Sequence, residues 1–275
     1  MRDRNPVILY RNDVDWKNEA EIANKYFRCV PSRCSCGSKD LVIPRFSALP
    51  FYNELEKDLS IIGAQLINSY EQHRYIADLG NWYYDLAEFT PYTWRNLYEI
   101  PDNGPFILKG ETNSKKFYFK ELMYAENKTE AIKIHGLLTK DSALQYQHIY
   151  IRQYVELEKL AEGLQGIPIT REYRFFVFKD VVLSGGFYWS SHIDELSGEV
   201  NPDEVPRDFL NKIIDKIQHT ELSEPPNFYV LDVAKTKKGE WILVEVNDGS
   251  QSGLSENDPE VLYKNLQREL IKFSC

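Results

Sequence analysis

Hydrophobic and polar residues follow two different rhythms along this chain. Near the start, Val7-Ile8-Leu9-Tyr10 is a short apolar run that reads as a strand, and Ala20, Ala23, Tyr26 and Phe27 recur at helical spacing over residues 16–27. The pairing repeats at once. Leu41-Val42-Ile43-Pro44-Arg45-Phe46 predicts a second strand, and residues 52–62 predict a helix with its acids and bases outward. Residues 68–89 are aromatic-rich and predicted helical up to Thr90-Pro91, where proline favours a boundary. The opening third is therefore expected to be a small α/β unit, residues 1–92.

Beyond it the rhythm changes to alternation. Asn103-Gly104-Pro105 is turn chemistry, Phe106-Ile107-Leu108-Lys109 is a strand, and Lys116-Phe117-Tyr118-Phe119 is its expected return partner. Residues 130–138 predict a helix and 148–155 a further strand. Two hairpins follow, one pairing 171–178 with 181–189 around Lys179-Asp180, the other pairing 227–234 with 241–246 around Lys238-Gly239. Helices at 206–219 and 259–273 cover them. The second carries Val261, Leu262, Leu266, Leu270 and Ile271 at helical spacing, an amphipathic cover for a core. No internal repeat or low-complexity tract interrupts the pattern. The expected fold class is α/β, with α+β lobes after the opening unit.

Composition narrows the function. The chain has 275 residues, 43% hydrophobic and 27% charged, and a formal net charge of −9. It is long enough to bury a large core, and near the size at which one core divides into lobes. The acidic balance argues against a protein that tracks nucleic-acid phosphates, so nucleic acid is not expected as a partner. No window approaches the roughly 18 apolar residues of a membrane span, and Met1-Arg2-Asp3-Arg4-Asn5-Pro6 leads into no signal-like region, so a cytoplasmic location is expected. Cys29, Cys34 and Cys36 cluster, but a structural zinc wants four ligands and the nearest histidine is His73, so reduced loop thiols are the expected reading.

The second hairpin holds the sharpest chemical signal. Asp232 interrupts the apolar run Phe228-Tyr229-Val230-Leu231, and Glu245 interrupts Ile242-Leu243-Val244. A two-residue turn at Lys238-Gly239 sets Asp232 directly opposite Glu245, with Asn247 on the same face as Glu245. Like charges facing across a sheet repel and call for a compensating cation. Magnesium suits such a set, because it prefers hard oxygens, takes one or two carboxylates, and leaves its other positions to water and phosphates. Edge exposure or a bulge that displaces one acid is the alternative.

Three further features point to phosphate. Lys109 ends a strand before Gly110-Glu111-Thr112-Asn113-Ser114-Lys115-Lys116, a polar loop whose amides and amines suit a polyphosphate. Glu172 and Arg174 share a strand face, where the guanidinium fork suits a phosphoryl or carboxylate oxygen, a cross-strand salt bridge being the alternative. Asn247-Asp248-Gly249-Ser250 opens a turn-rich loop directly after the acid-bearing strand. His192 is read as a loop histidine rather than a proton shuttle, and Tyr188 and Trp189 as packing residues that could line a pocket. Arg45 and Arg74 are candidates for an acidic acceptor.

Taken in order, Phe106-Ile107-Leu108-Lys109-Gly110, Ile151-Arg152-Gln153-Tyr154-Val155-Glu156-Leu157, Glu172-Tyr173-Arg174-Phe175, Val230-Leu231-Asp232-Val233 and Val244-Glu245-Val246-Asn247-Asp248-Gly249 resemble the ATP-grasp superfamily, most closely a small clade from phage and bacterial genomes. The resemblance implies an ATP-grasp fold, residues 93–275, with lobe one at about 93–155 and lobe two at about 156–275, preceded by a pre-ATP-grasp domain. It implies ATP and magnesium, two ions, as cofactors. Lys109, Ser114 and Lys115 would contact the phosphates; Gln153, Tyr154 and Val155 would receive adenine at an interlobe hinge; Glu156 or Glu158 would hold the ribose. Arg174 would face the transferred phosphoryl group beside Glu172, and Asp232, Glu245 and Asn247 would hold the metal. The implied reaction is carboxylate-amine ligation through an acylphosphate with ADP release, acting on a small-molecule, peptide or protein-terminus carboxylate and an amine. A phosphotransferase, or a non-catalytic nucleotide-binding module, are the alternatives. The chain departs from the family in two places: Gly110 stands nearly alone where a glycine-rich loop is usual, so that Lys115 and Lys116 substitute for amide contacts, and residues 81–88 offer no counterpart to a second upstream lysine.

Overall fold

The computed structural model describes residues 4–11, 14–163, 166–190, 193–196 and 200–274. The opening unit runs β1 (Asn5–Tyr10), α1 (Val14–Ala23), β2 (Arg28–Val30), β3 (Asp40–Arg45), α2 (Tyr52–Ile61) and β4 (Gln65–Leu66), and its strands form a parallel sheet in the order β2-β1-β3-β4. α1 stops at Ala23, short of the expected end at residue 27, and the chain turns so that Phe27 is still buried. All six residues of β3 are buried, as in a strand covered on both faces. Val7, Leu9 and Val42 pack with Tyr52, Leu55 and Leu59 of α2, while Ile8, Leu41 and Ile43 belong to a different core on the opposite face. The aromatic stretch is two helices, α3 (Tyr70–Ala77) and α4 (Leu79–Leu86). Asp78 ends the first and caps the second, its carboxylate accepting from the Gly80 amide at 2.9 Å.

The next lobe contains β5 (Thr93–Trp94), β6 (Asn103–Gly110), α5 (Phe119–Leu122), β7 (Tyr124–Asn127), α6 (Lys128–Leu138) and β8 (Ile149–Gln153), with an antiparallel sheet ordered β5-β8-β6-β7. Residues 116–119 are not the return strand. They form a 3-10 turn leading into α5, with Phe117 77% and Tyr118 53% exposed, so their alternation marked no buried face. β7 pairs with β6 instead. Ala131, Ile134 and Leu138 of α6 close this lobe's core on Phe106, Leu108 and Ile151.

After the small pair β9 (Lys159–Glu162) and β10 (Pro168–Thr170) come β11 (Glu172–Phe178), β12 (Val181–Phe187), α7 (Ile193–Leu196), α8 (Arg207–Gln218), β13 (Phe228–Lys235), β14 (Trp241–Asp248) and α9 (Pro259–Ser274). Their antiparallel sheet is ordered β12-β11-β13-β14. One face packs Phe175, Val177, Leu231 and Val233 with Leu210 and Ile213 of α8. The other packs Phe176, Phe178, Phe228 and Val230 with Leu262 and Leu266 of α9 and with Ile8, Leu41 and Ile43, so the opening unit and the last sheet share one core.

Asp232 and Glu245 are paired as expected, by a different route. The turn is one residue longer than predicted: the Thr236 amide donates to the Glu240 carbonyl at 2.7 Å, with Gly239 at φ +88°. That alone would slip the register by one. A bulge at Val244, between the pairs Val233–Leu243 and Asp232–Glu245, takes up the extra residue.

Candidate functional site

Two joined clefts lie between the β5–β8 lobe and the β11–β14 sheet, with Lys116 lining both. The first, about 230 Å³, is largely apolar, walled by Ile107, Met123, Ile167, Ile242 and Val244, with Trp189 and Glu172 toward its sides. Gln153, Tyr154, Val155 and Glu156 line it as well. The amides of Gln153 and Tyr154 already donate to the carbonyls of Tyr92 (2.8 Å) and Pro105 (3.1 Å). Of these four, Val155 is the residue whose backbone makes no hydrogen bond among the described residues, and so the one able to meet a planar heterocycle.

The second cleft, about 350 Å³, is polar. The loop after β6 contributes Thr112, Asn113 and Ser114, the strands contribute Arg174, Glu245 and Asn247, and Ser47 and His73 come from the opening unit. Gly110 permits that loop its path, because a Cβ there would lie 2.8 Å from the Leu144 side chain.

The charges are paired across elements. Arg174 clasps Asp232 with two parallel bonds, Nε to Oδ1 at 2.8 Å and Nη2 to Oδ2 at 2.7 Å, and gives Nη1 to the Gly253 carbonyl at 2.9 Å. Lys109 pairs with Glu245. The cross-strand salt bridge foreseen as the alternative for Arg174 is therefore present, with Asp232 as its partner. The repulsion between the two facing acids is relieved by side chains rather than needing a metal. Burial alone would raise the Glu245 carboxyl, but Lys109 and Lys116 hold it down at about 2. Lys116 Nζ meets Tyr188 Oη at 2.5 Å and lies 4.1 Å from the centre of that ring. Burial opposes its charge, but Tyr188, Glu172 and Glu245 outweigh it and keep the ammonium protonated.

Glu172 is the unsatisfied member. It is buried, Oε1 has no hydrogen-bond partner among the described residues, and burial pushes its carboxyl up to about 7 although Lys116 draws it down. Arg152, also buried and drawn down to about 10 by burial, bonds among the described residues to Thr90, Thr93 and the Val244 carbonyl rather than to a carboxylate. Lys109, Lys116, Arg152 and Arg174 stand here against Glu172, Asp232, Glu245 and Asp248, a cluster of matched cations and acids in which Lys116 and Arg174 line the polar cleft and can turn to a polyanion.

The remaining candidates separate cleanly. Lys115 turns away to Asp141 at 2.7 Å, and Glu158 is taken by Arg171 at 2.8 Å. Glu156 pairs with Lys237 at 2.7 Å at the cleft edge. Arg45 is 1% exposed, bound to Glu19 and to the carbonyls of Gly249 and Ser252, so it positions the loop after β14 and faces no acceptor. Arg74 pairs with Asp78. Tyr188 lines the polar cleft and Trp189 the apolar one. His192 lies outside the described residues. Cys29, Cys34 and Cys36 are free thiols, and burial pushes Cys29 up to about 11. Lys116 belongs to the polar loop and Asp248 to the turn-rich loop that the sequence marks, whereas nothing in the sequence marks Arg152, or the partner of Asp248, His73, as lining a cleft. Contacts between segments distant in sequence bring them there.

Among the described residues no group of three or more His, Cys, Asp or Glu side chains converges to hold a metal alone. Glu245 and Asn247 do line the polar cleft beside buried Asp232, a hard-oxygen set that fits magnesium completing its shell with phosphate and water. No helix among the described residues is long and apolar enough to cross a membrane.

A family profile described as ATP-grasp domain, R2K clade family 3, matches residues 97–266. Solved structures with the same architecture include D-cycloserine synthetase DcsG, at 13% identity and TM-score 0.61 over 97% of this chain and 100% of that one. A RiPP-associated ATP-grasp ligase of Chryseobacterium gregarium, in complex with ADP and a leader and core peptide, matches at 12% identity and TM-score 0.60, covering 98% of each chain. D-alanyl-alanine synthetase A from Vibrio cholerae matches at 10% identity and TM-score 0.52, over 98% of this chain and 100% of that one. At these identities the likeness is one of fold. Curated protein sequences gave no match.

Proposed function

Because the chain belongs to the ATP-grasp family, R2K clade, we propose that it is an ATP- and magnesium-dependent carboxylate-amine ligase. The observation that carries this reading is the continuity of an apolar slot, bounded by Val155, with a polar cleft that holds Arg174, Glu245 and Asn247, through the shared residue Lys116. Adenine occupies the slot against Val155, with Glu156 at the ribose. The triphosphate passes Lys116 into the polar cleft, under the amides of Asn113 and Ser114. There Lys109 and Arg174 exchange Glu245 and Asp232 for phosphate oxygens. Asp232, Glu245 and Asn247 are the residues that would hold magnesium, two ions, which when bound spreads the charge of the phosphates. Lys115 and Glu158, committed to Asp141 and Arg171, fall outside this assignment.

In the reaction a substrate carboxylate oxygen forms a bond to the γ-phosphorus as the bond to ADP breaks. Arg174 and Lys109 stabilise the transferring group, and Glu172 helps keep Lys116 charged. An amine then displaces phosphate from the acylphosphate. Positioning and charge neutralisation supply most of the rate. Neighbours of the fold bear on this, one being solved with ADP and a peptide. The test is ADP release over a panel of carboxylates and amines, with products read by mass spectrometry. Release that needs both partners and gives a condensed product is expected; a stable phosphorylated product would instead identify a phosphotransferase.

A further inference from the structure

Lining the same polar cleft as Arg174 and Lys116 is a group with different chemistry, built around His73. His73 follows the Ser69–Gln72 capping box of α3, and its imidazole is nearly covered. Tyr52 lies flat on the ring, 3.9 Å between centres and 3° between planes. Nδ1 is 3.0 Å from Asp248 Oδ2, and the other oxygen of Asp248 is fixed by Asn68 Nδ2 at 3.1 Å and the Ser250 amide at 2.7 Å. Nε2 makes no hydrogen bond among the described residues and is not sealed from solvent, so it opens onto the cleft that the residue lines. A histidine kept only for packing would have both nitrogens satisfied or enclosed.

The carboxylate at Nδ1 requires a proton between the two atoms, which leaves the lone pair of the neutral ring on Nε2. Gln251 Nε2 is 3.1 Å from the same Nδ1 and would favour the opposite tautomer, but it is neutral and Asp248 is charged, so the carboxylate decides. Lys109, Lys116 and Arg174 attract the carboxylate and phosphate groups and repel an ammonium; the Asp248-backed ring is the part of the cleft that favours an amine.

We infer that His73, oriented by Asp248, is the proton acceptor for the amine nucleophile. The inference rests on the ligase reading. His73 Nε2 takes a proton from the ammonium form of the nucleophile, the freed nitrogen forms a bond to the acyl carbon as the carbon–oxygen bond to phosphate breaks, and the departing phosphate carries away the second nitrogen proton. Nδ1–H stays on Asp248, and the imidazolium later returns its proton to water. Asp248 is a positioning residue in this scheme.

Two measurements test it. With 15N-labelled histidine, two-bond proton–nitrogen correlation resolves the chain's five histidines, and His73→Gln assigns the signal. A His73 with its proton on Nδ1 and its lone pair on Nε2 is expected, changed in Asp248→Asn; a proton on Nε2 overturns the inference. Turnover is then compared with the best amine of the panel and with hydroxylamine, which is largely unprotonated at neutral pH and needs no base to be freed. His73→Gln is expected to lower kcat with the amine by about a hundredfold or more while keeping hydroxamate formation within about threefold. Equal loss with both nucleophiles, or loss with neither, overturns the role of His73 alone. No ADP release by the wild type with any pair overturns the ligase reading, and this inference with it.

Discussion

One face of the β11–β14 sheet has two ends that share strands, register and period but not chemistry. At one end Phe176, Phe178, Phe228 and Val230 are sealed by α9 and the parallel sheet of the opening unit. At the other, Glu172, Arg174, Asp232 and Glu245 stand at equivalent alternating positions, covered only across a cleft. Alternation decides which face a residue occupies; what lies over that face decides whether a hydrophobe or a charge is stable there. The apolar end is held by area. The charged end is held by partners drawn from other segments, each of which can be removed singly.

Phe178→Ala should have the largest effect on stability, about 3–5 kcal/mol by chemical denaturation, with nucleotide affinity of the folded protein unchanged. Altered affinity at unchanged stability would break the comparison. Arg174→Ala should cost a similar amount, about 3–5 kcal/mol, because Asp232 is left buried without its partner. The double variant Arg174→Leu/Asp232→Leu should recover most of that loss and remain without turnover, separating stability from function at the charged end.

Glu172 predicts a pH effect of about 3 kcal/mol. Its carboxyl is raised to about 7 in the folded protein, so its contribution is fully present below the unfolded carboxylate range near 4.3 and is lost as pH rises toward 7. Glu172→Gln should flatten urea midpoints over that window; an unchanged slope would mean the buried oxygen finds a partner. The smallest effect belongs to Lys115→Ala, which removes a partly exposed pair worth under about 1 kcal/mol and should leave nucleotide affinity within about twofold. Lys116→Ala, one residue on, should weaken nucleotide binding by about tenfold or more.

Much of this site is legible in the sequence because period-2 alternation is local: Asp232, Glu245, Asn247 and Arg174 announce themselves as polar residues on apolar strands. The facing of Asp232 and Glu245 followed from a turn one residue too short, and was rescued by a bulge that no sequence pattern marks. Residues 116–119 misled because Phe117 and Tyr118 imitate a strand while standing in solvent, whereas the true partner Tyr124-Ala125-Glu126-Asn127 lacks branched residues. The cations that neutralise the acids, and the meeting of His73 with Asp248, depend on contacts between segments more than a hundred residues apart or on neighbouring strands. Spacing within one segment carries no trace of them.

The most direct test of the two clefts as one nucleotide site is calorimetric titration of a non-hydrolysable ATP analogue into the wild-type protein, with and without magnesium. Saturable binding with magnesium, weaker by about tenfold or more without it, is the predicted result. Absence of binding under both conditions, or binding indifferent to magnesium, would contradict the account.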